Sequence, residues 1–309
     1  MGINMPEPLP RLSGRIIEER KNYYTVSTSI GTVRSTLKGV LKKKKRKIAT
    51  GDLVYIDIIN PDSMEGVITG IQNRTSFLPR PPLANISQVV FINCYKNPGL
   101  NFEAVDRFLF SATAYNIDAI LTFNKTDLLT DEESAELKKT EKYYSGIGYT
   151  TLRTSAVNRQ GIDELVSICT NKTSAFTGLS GVGKSTLLSS IFPDIEFKTS
   201  EVSGRSGRGT HTTTHTTLLS LDNQTFIADT PGFAFVDVPT VPEETVISHF
   251  PELEKVTGEC RYNDCRHDQE PGCKVKELVD SGEIAPWRHS HYLKIHKEMQ
   301  ERRKNYRKR

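Results

Sequence analysis

The sequence predicts a multidomain protein with an N-terminal β-barrel over residues 1–74, a central α/β domain over residues 75–235 and a mostly helical C-terminal domain over residues 236–309. Three observations predict this division. Short β-prone runs without helices fill the first part, strand and helix patterns alternate through the second, and three cysteines and a histidine gather in the third.

Length and charge limit the classes of protein that fit. A chain of 309 residues can bury sizeable cores in two or three domains. The formal net charge is +4, and basic residues concentrate in residues 42–47 and 302–309, which favours a polyanionic partner. Five cysteines in a chain of this length do not suggest a disulfide framework. Residues 1–9 lack the apolar core of a signal peptide, and no run reaches a membrane span, so we expect a cytoplasmic protein.

The N-terminal barrel is predicted from five short β-prone runs at residues 13–17, 23–27, 31–37, 52–58 and 66–71. The oligonucleotide-binding (OB) fold is the leading candidate, and such folds bind nucleic acid through loops and one strand face. The lysine run between the third and fourth strands should be a loop that contacts RNA, although a solvated loop that aids solubility is the alternative. Residues 79–82, Pro-Arg-Pro-Pro, are typical of a linker.

A phosphate-binding loop is the strongest motif of the central domain. A β-prone run precedes it and a segment with helical spacing follows it, and its residues are Gly178, Leu179, Ser180, Gly181, Val182, Gly183, Lys184, Ser185 and Thr186. The glycines let backbone N–H groups turn towards phosphate oxygens, and the helix N-terminus adds partial positive charge. Lys184 should reach the β- and γ-phosphates, and Ser185 should ligate Mg²⁺. The alternative is a chance glycine-rich turn.

A guanine-reading motif follows the apolar run at residues 119–123, and it consists of Asn124, Lys125, Thr126 and Asp127. The Asp127 carboxylate can accept from the ring N–H and the exocyclic amine of guanine, and adenine offers neither donor. Asn124 would join the motif to the phosphate loop, and the stem of Lys125 would cover the purine. Taken alone, the tetrapeptide could also be a polar turn.

Two further pieces complete a nucleotide site. Asp229 and Gly232 come from Asp-Thr-Pro-Gly after a β-prone run; Asp229 would hold Mg²⁺ through water, and the Gly232 N–H would sense the γ-phosphate. The backbone of Ser155 and Ala156 could contact the guanine carbonyl, although this dipeptide is common.

The order of these motifs is unusual, because the guanine motif and Ser155-Ala156 precede the phosphate loop. The domain is therefore predicted to be circularly permuted, which is tolerable because domain termini often lie close together. In this order the chain closely resembles the bacterial ribosome-small-subunit-dependent GTPase family known as RsgA or YjeQ. The resemblance implies a GTPase that binds the small ribosomal subunit and its rRNA, acts late in subunit maturation and is stimulated by the subunit.

The segment at residues 201–217 should be a loop that the γ-phosphate and Mg²⁺ can order, a first switch. One of three adjacent threonines must ligate Mg²⁺, and only the resemblance favours Thr213. Where many GTPases place a water-orienting glutamine, this chain has Phe233. His211 and His215 are the candidates to position water, and the resemblance favours His211; the alternative is that they are solvated or face RNA.

A metal site is predicted in the C-terminal domain from Cys260, Cys265, His267 and Cys273. Three thiols and one imidazole are a common tetrahedral zinc set, and with all four positions filled the zinc should be structural. The region has few large apolar residues, so a metal would compensate for a small core. Cys94 and Cys169 lie in apolar contexts and should be ordinary buried side chains. A basic helix over residues 286–304 could lie on RNA or be solvated.

Two other function classes are alternatives to a GTPase with one zinc, Mg²⁺ and a ribosomal partner. The first is an RNA-binding module that nucleotide switches, with negligible turnover, and Phe233 keeps it open. The second is a small-molecule kinase, and the guanine motif argues against it. We expect a monomer that has no membrane partner.

Overall fold

The computed structural model describes residues 12–42, 47–195, 197, 216–230 and 238–307. The chain separates into two compact units. The first is made of Met1–Gln88, Asp163–Phe176 and Ile191–Pro231. The second is made of Val89–Ile162, Thr177–Ser190 and Gly232–Arg309. No helix in the described part of the chain is both long and apolar enough to cross a membrane.

The N-terminal strands close into a barrel in the order β1-β2-β3-β5-β4. Their bounds are β1 Leu12–Glu19, β2 Tyr24–Thr28, β3 Gly31–Leu37, β4 Leu53–Asn60 and β5 Glu65–Ile71. Strands β3 and β5 pair in parallel, β1 pairs antiparallel with both β2 and β4, and β4 pairs antiparallel with β5. This is the predicted OB fold. Its interior is filled by alternate side chains of each strand, namely Ile16, Val26, Val33, Val54, Ile56 and Ile68.

Two expectations for this region need correction. The first residue of the lysine run ends a short helix α1, Gly39–Lys42, and is not in a loop, whereas residues 43–46 of the run lie outside the described residues. The proline-rich stretch is not a free linker but a hairpin of β6, Phe77–Pro79, and β7, Pro82–Ala84. Pro79 and Pro82 occupy strand ends, where the missing N–H is tolerated, and Pro81 lies in the turn between them. Leu78 and Leu83 are buried.

The α/β part is a six-stranded sheet in the order β10-β9-β8-β11-β13-β12. The strands are β8 Gln88–Cys94, β9 Asp118–Asn124, β10 Thr150–Arg153, β11 Thr173–Gly178, β12 Leu218–Ser220 and β13 Phe226–Asp229. Strand β10 is parallel to β9, and β11 is parallel to β13, whereas β12 is antiparallel to β13. Every residue of β8 and β11 is buried, as expected for strands covered on both faces.

In the described part of this region, four helices alternate with these strands. They are α2 Phe102–Ala114, α3 Asp131–Gly146, α4 Ile162–Cys169 and α5 Lys184–Ile191. Local signals set their starts: the Asn101 side chain accepts from the backbone N–H of Ala104, and Thr130 and Glu133 form a reciprocal capping box. The predicted alternation of strands and helices is therefore confirmed.

The C-terminal region is mostly helical, with α6 Pro251–Glu254, α7 Lys274–Asp280 and α8 Pro286–Arg307. The expectation of a small core here is wrong. A cluster of buried side chains joins α2 to these helices, and it includes Phe110, Val246, Phe250, Leu253, Val275, Ile284, Tyr292, Ile295 and Met299. These residues are scattered along the sequence, so the core is not apparent from any one stretch.

Candidate nucleotide and metal sites

The predicted phosphate loop connects the end of β11 to the start of α5, where Lys184 and Ser185 are the first two residues of the helix. Gly181 and Gly183 have φ values of +83° and +88°, which only glycine adopts without strain. A Cβ on Gly178 would lie 2.4 Å from the backbone oxygen of Ile92. Gly181 and Gly183 are thus required by their backbone conformation, and Gly178 is required because there is no space for a side chain. Around them Val182 is buried, Leu179 is half-buried, and Ser180 and Thr186 are exposed.

Asn124 joins the guanine motif to the phosphate loop, as predicted. It is buried at the end of β9, and its Nδ2 donates to the backbone oxygen of Val182 at 3.0 Å. Its Oδ1 accepts from the Thr154 hydroxyl at 3.1 Å. A Cβ on Gly183 would lie 2.5 Å from the same Nδ2, so the two motifs are in direct contact.

Lys125 has a left-handed backbone, with φ of 62°, and its ammonium group has two backbone acceptors. Its Nζ donates to the oxygen of Gly181 at 2.6 Å and to the oxygen of Asn97 at 2.8 Å. One acceptor belongs to the phosphate loop and the other to the segment between β8 and α2. The ammonium end of the side chain is therefore fixed by two backbone oxygens.

The acidic end of the motif is held by Ser155, whose backbone was predicted to contact the guanine carbonyl. The Ser155 hydroxyl donates to Oδ1 of Asp127. Ser155 is fully buried, whereas Asp127 is exposed, so a buried hydroxyl orients the carboxylate and the carboxylate remains accessible to solvent. Thr126 donates through its hydroxyl to the oxygen of Thr154 at 3.0 Å, and Ala156 is half-buried beside Ser155.

Asp229 ends β13, in parallel register with Phe176 of β11. The next residue, Thr230, is buried and donates through both its backbone N–H and its hydroxyl to the oxygen of Phe176, at 3.0 and 2.9 Å. The other expected switch residues, Gly232, Thr213 and His211, lie outside the described residues, as do His215 and Phe233.

The structure brings together the four predicted metal ligands. One ligand atom from each of Cys260, Cys265, His267 and Cys273 lies within 4.8 Å of the others. The Sγ atoms of Cys260 and Cys273 are each 3.5 Å from Nδ1 of His267. Zn–S bonds of about 2.3 Å and Zn–N bonds of about 2.0 Å place tetrahedral ligand atoms roughly 3.5–3.8 Å apart. The cluster can therefore hold a metal ion, with Nδ1 as the histidine ligand.

The electrostatics of this cluster fit a cation. Burial raises the pKa of the Cys265 thiol to about 12, and the neighbouring thiols of Cys260 and Cys273 add to this rise. Burial also raises the pKa of the Cys273 thiol. Burial lowers the pKa of His267, which keeps the imidazole neutral, as a ligand must be. The backbone also supports the cluster: the Lys274 N–H donates to Cys260 Sγ at 3.3 Å, and His289 Nε2 donates to the oxygen of His267 at 2.6 Å.

Sequence reasoning missed several residues that support the nucleotide site. Gln160 accepts from the backbone N–H of Ser155 at 3.0 Å, and its side chain accepts from the Thr126 hydroxyl at 3.3 Å. Thr154 and Asn97 anchor Asn124 and Lys125. The position of Thr154 beside the Ser155-Ala156 pair was a usable signal. Asn97 offered none, because it contributes only its backbone oxygen.

Together the glycine-rich loop, the guanine motif bound to it and their order along the chain define a circularly permuted P-loop GTPase. The chain belongs to the RsgA GTPase family, whose model matches residues 71–239. This confirms the predicted family, its GTPase activity and the permuted fold.

Relatives match over almost the full chain. A protein of Moorella thermoacetica, named small ribosomal subunit biogenesis GTPase RsgA, is 38% identical over 282 residues, which cover 91% of this chain and 95% of the relative. A Bacillus velezensis protein of the same name is 36% identical over 296 residues, covering 95% and 99% of the two chains.

Two solved structures are similar to this fold. The crystal structure of YjeQ from Thermotoga maritima has a TM-score of 0.79 and 31% identity, covering 94% of this chain and 99% of that one. The crystal structure of YloQ, described as a circularly permuted GTPase, has a TM-score of 0.77 and 27% identity, covering 97% and 99%.

Proposed function

We propose that this GTPase acts on the small ribosomal subunit late in its maturation and that the subunit stimulates GTP hydrolysis. One observation carries the nucleotide part: the hydrogen bond from Asn124 to Val182 makes the guanine motif and the phosphate loop a single site. The ribosomal part follows the names of the relatives from Moorella thermoacetica and Bacillus velezensis.

In this site Asp127 reads guanine. Its carboxylate has about four lone-pair positions, and the bond from Ser155 occupies one, which leaves room for two donors of the base. The stem of Lys125 covers the purine, and the backbone of Thr126, Ser155 and Ala156 completes the base pocket.

The phosphate end uses the backbone N–H groups of the loop and two side chains at the start of α5. Lys184 neutralises charge on the β- and γ-phosphates as the bond to the γ-phosphate breaks, and Ser185 ligates Mg²⁺. Asp229 holds Mg²⁺ through water. Thr213 as the second magnesium ligand, Gly232 as the γ-phosphate sensor and His211 as the group that positions water are proposals from the sequence.

The metal at the Cys₃His cluster is proposed to be one structural zinc ion, because no ligand position remains for water. The domains are proposed to run over residues 1–74, 75–235 and 236–309. The protein is proposed to be a cytoplasmic monomer whose barrel and C-terminal helix bind rRNA.

The barrel surface supports RNA binding. A cleft of about 780 Å³ is lined by Tyr24 of β2, Phe77 of β6 and the basic residues Lys21 and Lys47. Phe77 is 37% exposed. Aromatic faces beside cations suit the bases and backbone of single-stranded RNA.

The decisive experiment measures GTP hydrolysis with and without purified small subunits, with large subunits as the control. Phosphate release should rise with small subunits only and should fall by roughly 10²–10³-fold in Lys184→Ala. Equal rates with both subunits would overturn the ribosomal part, whereas absence of hydrolysis under all conditions would favour a nucleotide-switched binding module.

A further inference from the structure

A buried ionic cluster contains none of the residues predicted to bind nucleotide or metal. Arg288 of α8 is fully buried between two carboxylates. It donates to Oδ1 of Asp106 in α2 at 2.8 Å, and to both oxygens of Glu252 in α6 at 2.5 and 3.1 Å. Asp106 also accepts from the Tyr144 hydroxyl at 2.8 Å, and its Oδ2 is 2.5 Å from Nδ1 of His291. Residues of four helices, α2, α3, α6 and α8, therefore meet in one cluster.

Stability alone does not account for this cluster. Burial by itself lowers the pKa of Arg288, but Asp106 and Glu252 raise it well above the usual value, so the guanidinium stays charged. Replacing such a buried ion pair by apolar side chains is often neutral or stabilising, whereas its bidentate geometry allows few arrangements. The cluster instead fixes the rotation of α2 about its own axis and the position of α2 along α8.

Two further ion pairs extend this attachment along α2. Glu103 lies 2.6 Å from the ammonium of Lys294, and Arg107 lies 3.0 Å from the carboxylate of Glu298. Residues 103, 106 and 107 share one side of α2, as expected for i, i+3 and i+4 positions. The N-terminal half of α2 is thus attached to α8 along about one turn.

The start of α2 leads directly to the guanine motif. Asn101 caps the helix, and four residues earlier the backbone oxygen of Asn97 accepts from the Lys125 ammonium at 2.8 Å. A second anchor of this segment, the ion pair of Lys96 with Glu133, is largely exposed and should hold it weakly. At its other end the segment follows the buried strand β8, and the Gly99 N–H is hydrogen-bonded to the Cys94 thiol, so the position of the Asn97 oxygen depends on both β8 and α2.

We propose that Arg288 is a positioning residue for the guanine nucleotide: through Asp106 it fixes α2, and α2 holds the Asn97 oxygen where it orients Lys125 over the base. The C-terminal helix thereby contributes to nucleotide affinity without touching the nucleotide. This inference rests on the proposed role of Lys125 at the purine.

A double-mutant cycle on the full chain tests the proposal. GDP dissociation constants are measured for wild type, Arg288→Met, Lys125→Met and the double variant. Arg288→Met should weaken GDP binding roughly tenfold, within the usual range of coupling between sites. In the Lys125→Met background it should have almost no further effect, because the two changes act through the same contact.

Controls separate positioning from general damage. Lys139→Met removes an exposed ion pair with Glu136 on α3 and should leave GDP affinity unchanged. Metal content and circular dichroism should match wild type in each variant. If Arg288→Met does not fold, Arg107→Gln replaces it in the cycle. This variant breaks the half-buried ion pair between α2 and α8, and its expected loss of GDP affinity is smaller.

The proposal would be overturned if the losses of GDP affinity in Arg288→Met and Lys125→Met add up in the double variant. An unchanged GDP affinity in a folded Arg288→Met protein would also overturn it. Failure of the wild-type chain to bind GDP would instead overturn the proposed nucleotide site. The two failures are therefore distinguishable in the same titration.

Discussion

The guanine site and the Cys₃His cluster are both small polar sites, but they differ in what holds them together. In the guanine site, Asn124, Lys125 and Asp127 each have partners within the protein before any nucleotide binds. In the metal cluster, three thiols crowd one imidazole, and burial raises the pKa of Cys265 to about 12. The guanine site is preorganised, whereas the metal cluster is complete only when it holds its cation.

Removing the metal should therefore have the largest effect. Structural zinc contributes roughly 10–16 kcal/mol of apparent binding energy in zinc-finger peptides, and that energy stabilises the fold. Elemental analysis should find about one zinc per chain, as a single four-ligand set predicts. The double variant Cys260→Ser, Cys265→Ser should lose the metal and the hydrogen-exchange protection of residues 257–273.

The helical core should survive this change, because Phe250 and Tyr292 pack in a cluster that includes Phe110 of α2. GDP binding should consequently persist. Cys94→Ala, at a buried cysteine far along the chain from the cluster, is the control for cysteine substitution. A metal-free double variant in which residues 257–273 stay protected would contradict the need for a cation.

The second largest effect is expected at the base reader. Asp127→Ala removes the carboxylate that distinguishes guanine, and sites of this kind reject an analogue by roughly 10⁴ or more. Dissociation constants for GDP and ADP should converge in the variant while the fold is unchanged. Persistent preference for GDP would show that another group reads the base.

The third prediction concerns the phosphate end. Lys184→Ala should reduce the rate of GTP hydrolysis by roughly 10²–10³-fold, as loss of one preorganised charge partner does in other enzymes. Ser185→Ala should shift the Mg²⁺ dependence of hydrolysis to higher concentration, because the metal loses a ligand. Phosphate release at wild-type rates in both variants would show that the site has been misplaced.

The same comparison explains how far sequence alone could reach. The phosphate loop, the guanine motif and the four metal ligands were all predictable, because each is a local pattern whose chemistry needs those residue types. The contact of Asn124 with Val182 followed from the roles of the motifs. The permuted order was visible in the sequence and needed no structure.

The supporting contacts were not predictable, because they join distant segments. Arg288 lies on the helical stripe that includes Tyr292 and Ile295, so its burial could have been suspected. Its partners Asp106 and Glu252 are 182 and 36 residues away along the chain, and no local rule pairs them. Likewise, the C-terminal core was underestimated because its apolar residues are dispersed.

A fourth prediction tests preorganisation within the phosphate loop. Gly183→Ala forces a left-handed conformation on alanine and places its Cβ against Nδ2 of Asn124. Gly181→Ala is a matched control, because its φ is similar, at +83° against +88°, but its Cβ would be 3.8 Å from the nearest atom. GDP affinity should fall by about ten times more in Gly183→Ala, in line with loss of a buried hydrogen bond. Equal losses of GDP affinity in the two variants would show that the strain of the left-handed backbone, and not the contact with Asn124, causes the loss.

The smallest expected effect is at the serine beneath the base reader. Ser155→Ala removes the hydroxyl that donates to Asp127, and a hydrogen bond to a charged group contributes about 1.5–3 kcal/mol. The exposed carboxylate can recover part of this from water, so GDP affinity should fall roughly tenfold, while preference over ADP is retained.

In the Asp127→Ala background, Ser155→Ala should have almost no effect on GDP affinity, since its partner is already absent. A graded loss of this kind is what a preorganised site predicts, because each member is anchored separately.

The metal cluster should respond differently: Cys273→Ser should release most of the metal, as the remaining three ligands cannot complete the tetrahedron. Isothermal titration with GDP and elemental analysis measure the two responses. A loss of GDP binding as complete as the loss of metal would show that the guanine site, too, is assembled only as a whole.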